Sequence, residues 1–312
     1  MTSELLRNQH LQYLLSLDKK EKTTSSFRAE SIKMGGVYWA YTSVAILGVP
    51  IPPEKSEELI IFIRSCFDES SGGFGWSTGH DGHITATHYA LLMLAQLGHK
   101  LDVETSERVL DFTRKNQKPD GSFQCDRWGE TDMRFVYNAV CILSLLDPSG
   151  WKSRISFSNM IAHVHSCQNS DGGFGPNPSL ESHAAYTFCA VGVLVITGEP
   201  VPLADGLAHW LAERQTPTGG FNGRPEKAPD VCYSWWILST LEMLQRSHWI
   251  DKKALAKFIL RAQEPQNGGI ADRPECVPDV FHTFFGLTGL SLIDREKYGL
   301  KAVNEKYAIV DV

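Results

Sequence analysis

Strongly apolar segments of ten to fifteen residues alternate with amphipathic segments along the whole chain. The apolar segments predict buried helices, at residues 38–47, 87–97, 135–146, 182–196, 232–244 and 281–292. Amphipathic segments lie between them, as at 54–66 and 106–117. In the second of these, Val109, Leu110 and Phe112 alternate with charged residues at helical spacing. No long segment alternates with a period of two, so the pattern predicts helices and no sheet.

A glycine-rich turn separates each amphipathic segment from the apolar one that follows. Its apolar residue falls at positions 74, 123, 174, 221 and 270, at spacings of 49, 51, 47 and 49 residues. A weaker copy is expected at 35–37, and Gln117, Gln168 and Gln215 each precede the turn aromatic by six residues, with Gln263 as a looser fourth. Residues 224–233 and 273–282 are identical at six of ten positions. The chain is therefore an internal repeat of about 50 residues.

Six two-helix repeats account for the whole chain, and such repeats form either an open superhelix or a closed ring. An open superhelix needs polar terminal capping repeats, and the sequence shows no clear one. The prediction is an all-α protein with one domain over residues 1–312. It is an α/α barrel (toroid) of about six helical hairpins, with apolar helices inside and amphipathic helices outside.

Composition excludes several classes of protein. Hydrophobic residues make up 42% and charged residues 21%, as in ordinary globular domains. The net charge of −6 argues against a nucleic-acid partner. The longest apolar run, near 188–196, is about half the length that a transmembrane helix needs. The start, Met1–Glu4, shows no secretory signal, so we expect a cytoplasmic protein whose seven cysteines are thiols.

Aromatic residues are concentrated where the predicted inner helices begin. The first eight residues of these helices, in windows starting at 36, 86, 134, 183, 230 and 279, hold 14 of the 32 Phe, Trp and Tyr residues. For any one of these aromatic residues taken alone, core packing is the better explanation. Together they predict a funnel for a long apolar ligand, lined by Tyr38, Trp39, Tyr89, Tyr137, Tyr186, Trp235, Trp236 and Phe285.

A candidate metal site comes from the repeat register. Asp230 and Cys232 lie two residues apart at the start of one inner helix, and His282 lies at the start of the next, at the position that corresponds to Tyr233. Neighbouring helices lie roughly 8–10 Å apart, so the three side chains are expected to converge. Three such ligands bind Zn²⁺ and leave one position open, as in catalytic sites. The helix N-terminus is expected to lower the pKa of Cys232. Asp279 is either a partner of a zinc ligand or an N-cap, and the sequence leaves both open.

Cationic residues lie beside that cluster. Arg224 and Lys227 precede Asp230, Tyr233 adds a phenol, and His183 opens the preceding inner helix. These four side chains are suited to bind a diphosphate, although Arg224 and Lys227 also have Glu226 or solvent as partners. A metal with an open position suits a substrate thiol. The predicted reaction is therefore alkyl transfer to a thiol with departure of diphosphate.

These motifs resemble the β subunits of protein prenyltransferases, and within them the type II (Rab geranylgeranyltransferase) branch. The resemblance rests on Gly-Arg-Pro-Glu-Lys-Ala-Pro-Asp-Val-Cys-Tyr-Ser-Trp-Trp at 223–236, on Asp-Val-Phe-His at 279–282 and on the Gly-Gly-Phe repeats. It covers essentially the whole chain. It implies a heterodimer with an α subunit and zinc held by Asp230, Cys232 and His282. It also implies geranylgeranyl diphosphate as donor and the C-terminal cysteines of Rab GTPases, presented by an escort protein, as acceptors.

The resemblance also implies roles for individual residues. His183, Arg224, Lys227 and Tyr233 would bind the diphosphate. The lipid-binding segments of the family match His183, Ala184, Ala185 and Tyr186, and also Tyr233, Ser234, Trp235 and Trp236. Farnesyl-transferring relatives carry a Trp four residues before the position of Trp39, where this chain has Gly35. A small residue there leaves room for a longer tail, although Gly35 could equally be a turn glycine.

Three alternatives remain open from the sequence. Terpene cyclases share the barrel but need Asp-rich clusters, and this chain has no two adjacent aspartates. A non-catalytic repeat scaffold gives no reason for the metal-ligating residues to share a rim. Farnesyl and type I geranylgeranyl β subunits are the remaining enzymes.

Mg²⁺ has no readable site. Core packing is the expected role of the other six cysteines, Cys66, Cys125, Cys141, Cys167, Cys189 and Cys276.

Overall fold

Twelve α-helices form the part of the chain that the computed structural model describes, residues 4–17 and 30–310. The apolar helices are α2 (Lys33–Ile46), α4 (Ile84–Gln96), α6 (Met133–Leu146), α8 (Ala184–Thr197), α10 (Tyr233–Met243) and α12 (Val280–Tyr298). The helices that alternate with them are α1 (Arg7–Ser16), α3 (Pro53–Ser65), α5 (Val103–Lys115), α7 (Phe157–Ser166), α9 (Ala204–Ala212) and α11 (Lys252–Arg261). Short 3₁₀ turns lie at Glu30–Ile32, Trp151–Arg154 and Ser247–Trp249.

The six apolar helices form a closed ring. Each packs against the next in chain order, and α12 packs against α2. The other helices lie outside this ring, where α1, α5, α9 and α11 contact the apolar helix that follows each of them. Within the described ranges, β contacts are limited to isolated bridges. The predicted all-α barrel is therefore confirmed.

The glycine-rich turns pack against the outer helix of the neighbouring repeat. Gly121 has φ +90°, and a Cβ atom there would overlap the backbone carbonyl of Asn159 in α7. In the last turn Gly268 has φ +77° and lies against the carbonyl of Gln9 in α1. The first outer helix thus packs on the last turn, and this contact closes the outer layer.

The inner helices all begin at the same end of the barrel. At or just before the start of α2, α4, α6, α8 and α10, a backbone N–H donates to a carbonyl of the next repeat, as Ile84 does to Cys125 (2.8 Å) and Val231 to Asp272 (2.7 Å). Side chains cap several of these helices: His83, Asp132, His183 and Asp279 accept backbone N–H groups of α4, α6, α8 and α12. We call this end the mouth. It gathers the N-terminal residues of six helices around one opening.

Two details differ from the sequence-based expectation. Residues 35–37 lie inside α2, so the weak first copy of the glycine-rich turn is wrong. Cys276 is exposed on a loop, whereas the other six cysteines are buried, so core packing does not describe Cys276. Residues 1–3, on which the signal-sequence expectation partly rests, lie outside the described residues. None of the helices in the described part of the chain is both long and apolar enough to span a membrane.

Candidate active site at the barrel mouth

Asp230, Cys232 and His282 meet at the mouth, between the starts of α10 and α12. One ligand atom from each lies within 4.8 Å of the others. His282 Nε2 is 3.3 Å from Asp230 Oδ1, and the backbone N–H of Cys232 donates to the same oxygen at 2.8 Å. The convergence that the repeat register predicted is present in the structure.

Asp279 performs both of the roles that the sequence left open. Its Oδ1 accepts the backbone N–H of His282 at 2.8 Å and caps α12. Its Oδ2 accepts from His282 Nδ1 at 2.7 Å. The proton on Nδ1 is fixed by this bond, so Nε2 faces Asp230 as the ring nitrogen available to a metal. Carboxylates commonly orient metal-binding histidines in this way.

The charges at this cluster favour a bound cation. Burial opposes a charge on His282, but Asp230 and Asp279 raise its pKa to about 9. Burial also opposes ionisation of Asp230, yet His282 and the N–H of Cys232 hold the pKa of that carboxyl below its usual value. The ionised forms of Asp230 and His282 therefore stabilise each other.

The pKa expected for Cys232 from the sequence was wrong in direction. Burial, and then the neighbouring Asp230 carboxylate, raise the pKa of this thiol well above its usual value. The favourable effect of a helix N-terminus does not overcome these two effects. A thiolate at this position therefore requires a cation. One nitrogen, one sulfur and one carboxylate oxygen are a donor set that suits Zn²⁺, so these residues fit the metal.

A second group of metal-ligating type, His83, Cys125 and Asp126, was not predicted. Its ligand atoms also lie within 4.8 Å of one another. However, His83 Nδ1 accepts the backbone N–H of Thr85 at 3.1 Å, so in the neutral ring the proton lies on Nε2. Among the described residues no carboxylate accepts a hydrogen bond from this ring, whereas Asp279 accepts one from His282. The second group is therefore much less suited to a metal.

The predicted diphosphate-binding residues lie along the loop before α10 and at the start of α8. Tyr233 Oη is 3.1 Å from His183 Nε2. Arg224 forms an ion pair with Glu181 and not with Glu226, which the sequence had left open as a partner. Lys227 is exposed on the same loop. A Cβ atom at residue 223 would overlap the Tyr233 phenol, which explains the glycine that opens this motif.

Hydrogen bonds at His183 determine which proton Tyr233 can offer. Burial, and then the charge of Arg224, lower the pKa of His183, so the ring is neutral at pH 7. Its Nδ1 accepts the N–H of Ala185 at 3.2 Å, which places the ring proton on Nε2. That proton is donated to Tyr233 Oη. The hydroxyl proton of Tyr233 is then available to an anionic ligand at the mouth.

A cavity of about 620 Å³ extends from this cluster into the barrel. Its wall includes all eight aromatic residues of the predicted funnel, and it reaches Cys232, Tyr233 and His183. The rings contact one another around the axis, as in the Tyr38–Tyr89 pair (4.7 Å between centroids) and the Trp236–Phe285 pair (4.5 Å). The volume lies within the range of about 300–1,000 Å³ typical of small-ligand sites.

Two residues of the predicted lipid-binding segments are not part of the cavity wall. Ala185, Trp235 and Trp236 line the cavity, whereas Ala184 and Ser234 are buried behind it. The Ser234 side chain packs towards Gly289 of α12. Lipid binding by Ala184 and Ser234 stays a prediction of the sequence. Repeat register identifies their place in the helix but not the direction of their side chains.

Gly35 lies in the first turn of α2, so it is not a turn glycine. A Cβ atom there would lie 3.2 Å from the indole of Trp39. The space left by Gly35 is therefore filled by the ring of Trp39, one helical turn later. Trp39 itself lines the cavity, so the predicted effect of Gly35 on tail length would act through the position of that indole.

Polar residues on the opposite side of the cavity were not predicted from the sequence. Arg134 lines the cavity and pairs with Asp132, the cap of α6. His88 Nδ1 bonds to Asn138 Oδ1 at 2.9 Å within the aromatic wall. Asp132 occupies the same repeat position as Asp230 and Asp279, so the repeat register is the signal that could have located it from the sequence.

Comparisons with known proteins agree with this architecture. The family model of the prenyltransferase alpha-alpha toroid domain matches residues 5–309. The type-2 geranylgeranyl transferase subunit beta of Saccharomyces cerevisiae is 44% identical over 267 residues, which are 83% of this chain and 81% of that protein. The type-2 subunit beta 1 of Arabidopsis thaliana is 45% identical over 265 residues, with 85% and 81% coverage. Beta subunits of farnesyltransferases and of a type-1 geranylgeranyl transferase match at 31–37% identity.

Among solved structures, Candida albicans protein geranylgeranyltransferase-I complexed with GGPP superposes with a TM-score of 0.89. The match covers 99% of this chain and 96% of that chain, at 23% sequence identity. This likeness shows the fold.

Proposed function

Because the chain belongs to the prenyltransferase family of α/α toroids, we propose that it is the β subunit of a type-2 geranylgeranyl transferase. The enzyme would transfer geranylgeranyl from geranylgeranyl diphosphate to C-terminal cysteine thiols of Rab GTPases and form thioethers. One observation carries the proposal: a cavity lined with aromatic rings ends at a cluster of Asp230, Cys232 and His282 and at the side chains of His183 and Tyr233.

The donor would bind with its tail in the cavity and its diphosphate at the mouth. Burial of a prenyl tail contributes about 0.8 kcal/mol per CH₂ group, so the aromatic wall accounts for affinity. At the mouth, Arg224 and Lys227 offer positive charge, and Tyr233 offers its hydroxyl proton. Arg224 must then exchange its exposed partner Glu181 for the diphosphate, at low cost because both side chains are solvated.

The acceptor would enter from the solvent side of the mouth. Zinc bound by Asp230, Cys232 and His282 would supply a Lewis acid that keeps an acceptor thiol in its thiolate form at neutral pH. Asp279 fixes the His282 ring for this purpose.

In the transfer step the acceptor sulfur forms a bond to C1 of the prenyl group, and the bond between C1 and the diphosphate oxygen breaks. Both electrons of that bond leave with the diphosphate. Arg224, Lys227 and the Tyr233 hydroxyl would stabilise the negative charge that develops there. The cysteine proton is released to solvent when the thiolate forms.

The proposal includes partners and location. An α subunit would complete the heterodimer, and an escort protein would present the Rab substrate. A cytoplasmic location is part of the same proposal. Mg²⁺ has no assigned site, because the sequence has no two adjacent aspartates to mark one.

The test is made on the protein coexpressed with its α subunit. Metal analysis by mass spectrometry is expected to give about one zinc per heterodimer. Farnesyl and geranylgeranyl diphosphate then compete for transfer to a Rab with escort protein, or to a peptide that ends in a C-terminal Cys box. Preference for geranylgeranyl and for the Rab acceptor supports the type-2 enzyme. Preference for farnesyl or for the peptide would assign a different transferase.

Replacement of Arg224 by alanine is expected to raise KM for the prenyl donor about tenfold, since one charge-assisted bond to the diphosphate is lost. Zinc content should be unchanged. Arg246→Ala is the matched control, because Arg246 has a similar exposure and pairs with Asp205 away from the mouth. Loss of zinc from the Arg224 variant would show that this residue supports the metal site instead.

Replacement of Asp279 by asparagine is expected to lower zinc affinity by about 10–100-fold. Asparagine has one side-chain oxygen, so it still caps α12 but no longer accepts from His282 Nδ1. Competition with a chelator measures the affinity. Asp251→Asn, at the cap of α11, is the control for a change in capping alone. Equal zinc affinity in both variants would contradict the orienting role of Asp279.

A further inference from the structure

The end of the barrel opposite the mouth is closed by the C-terminal segment, residues 301–310. We infer that this segment, held by the hydroxyls of Tyr38 and Tyr137, sets the longest prenyl tail that the cavity accepts. The inference rests on the proposed function, because it concerns the chain length of the donor.

The C-terminal segment crosses the barrel rather than following its edge. It starts at α12 and α2, where Ser291 Oγ donates to the Lys301 carbonyl (2.6 Å) and the Lys301 N–H donates to the Ile46 carbonyl (2.9 Å). It turns near α6, where Tyr307 Oη is 3.3 Å from Ser144 Oγ, and then returns so that Val310 pairs with Val303. Since α4 lies between α2 and α6 in the ring, the segment spans the opening.

The same segment forms the floor of the aromatic cavity. Tyr307 and Ala308 belong to the cavity wall, together with Tyr38 and Tyr137 from the inner helices. A backbone at the bottom of an apolar cavity brings carbonyl groups that need hydrogen-bond donors. The Tyr38 hydroxyl donates to the Ala308 carbonyl at 2.6 Å, and the Tyr137 hydroxyl donates to the Lys306 carbonyl.

These two bonds explain why tyrosines occupy positions where a prenyl tail needs only apolar rings. Both side chains are buried, with 2% and 6% of their surface exposed. The hydroxyls donate hydrogen bonds to carbonyls of the segment, and the rings face the prenyl tail. A tail longer by one isoprene unit has five more carbons and would have to displace the segment. That displacement breaks both hydrogen bonds and leaves their carbonyls without donors.

The test compares donors of 15, 20 and 25 carbons in transfer by the heterodimer, as ratios of kcat/KM, and in direct binding of the diphosphates. Tyr38→Phe/Tyr137→Phe removes both hydroxyls and keeps both rings. Truncation after Glu305 removes the floor itself. Ser291→Ala is the control, because it removes a hydrogen bond at the start of the segment but does not line the cavity. Circular dichroism establishes that each variant is folded.

The double variant is expected to raise the 25-carbon to 20-carbon ratio about 30-fold, the size of two lost hydrogen bonds. The truncation should raise it further, and Ser291→Ala should leave it unchanged. An unchanged ratio in the folded truncation would overturn the role of the segment as floor. If the ratio changed in the truncated protein but not in the double variant, the role of the two hydroxyls would be overturned. Wild-type protein that binds no prenyl diphosphate of any length would instead contradict the proposed function.

Discussion

Replacement of Cys232 by alanine is expected to remove zinc from the heterodimer and to lower prenyl transfer by about 100-fold or more. Loss of an indirect partner of a metal ligand typically costs 10–100-fold, so loss of a ligand should cost at least as much. The remaining pair, Asp230 and His282, already forms a contact at 3.3 Å without metal, and it would keep a proton on His282 instead. Metal analysis and single-turnover transfer measure the two effects.

The control is Cys66→Ala, which removes another buried thiol that lies outside both groups of metal-ligating residues. It should keep about one zinc and near wild-type transfer. The fold of the Cys232 variant should persist, because the side chain contributes little apolar area and the inner ring does not depend on it. Retention of zinc at full stoichiometry in the Cys232 variant would refute the ligand assignment. If Cys125→Ala lost the metal instead, the zinc site would be the second group.

Replacement of Gly121 by alanine is expected to lower the free energy of unfolding by about 2–5 kcal/mol. The residue has φ +90°, a conformation that costs a side chain about 1–2 kcal/mol. The new methyl group would also overlap the Asn159 carbonyl of the next outer helix, and overpacking of this kind adds about 1–3 kcal/mol. Because a domain is stable by only about 5–15 kcal/mol, the loss would be a large share of the total.

Gly198→Ala separates the two contributions to that loss. Gly198 ends α8 with φ +76°, and no atom lies within 4 Å of a Cβ placed there. It should lose only about 1–2 kcal/mol, the backbone part. Urea denaturation of the heterodimer, with both variants under one condition, measures the difference. Equal losses at the two positions would mean that contact with the next outer helix contributes nothing to the stability of the ring.

Several features of this protein were predictable because they are periodic. A spacing of 47–51 residues between glycine-rich turns determines the number of repeats, and similar repeats turned by similar angles close into a ring. The same register places Asp230 and His282 on neighbouring helices at one end. It also brings the aromatic residues that open each inner helix to one surface. These predictions need only local helix geometry and the regular stacking of repeats.

Other features depend on contacts between residues that are distant in sequence, and only the tertiary structure decided them. The pairing of Arg224 with Glu181 joins two loops 43 residues apart. The raised pKa of Cys232 comes from burial and from Asp230, and the helix position alone suggested the opposite direction. The sequence suggested open space beside Gly35, but the ring of Trp39 fills that space.

The sequence by itself determined the repeat and the closed barrel and placed the candidate metal-ligating residues, because each follows from the order and spacing of residue types. The tertiary structure decided the orientation of His282 by Asp279, the free hydroxyl proton of Tyr233, and the closed floor beneath Tyr38 and Tyr137. Each of these is a hydrogen bond whose direction depends on side-chain placement. The floor joins residues 38 and 308, which lie 270 positions apart and share no repeat register.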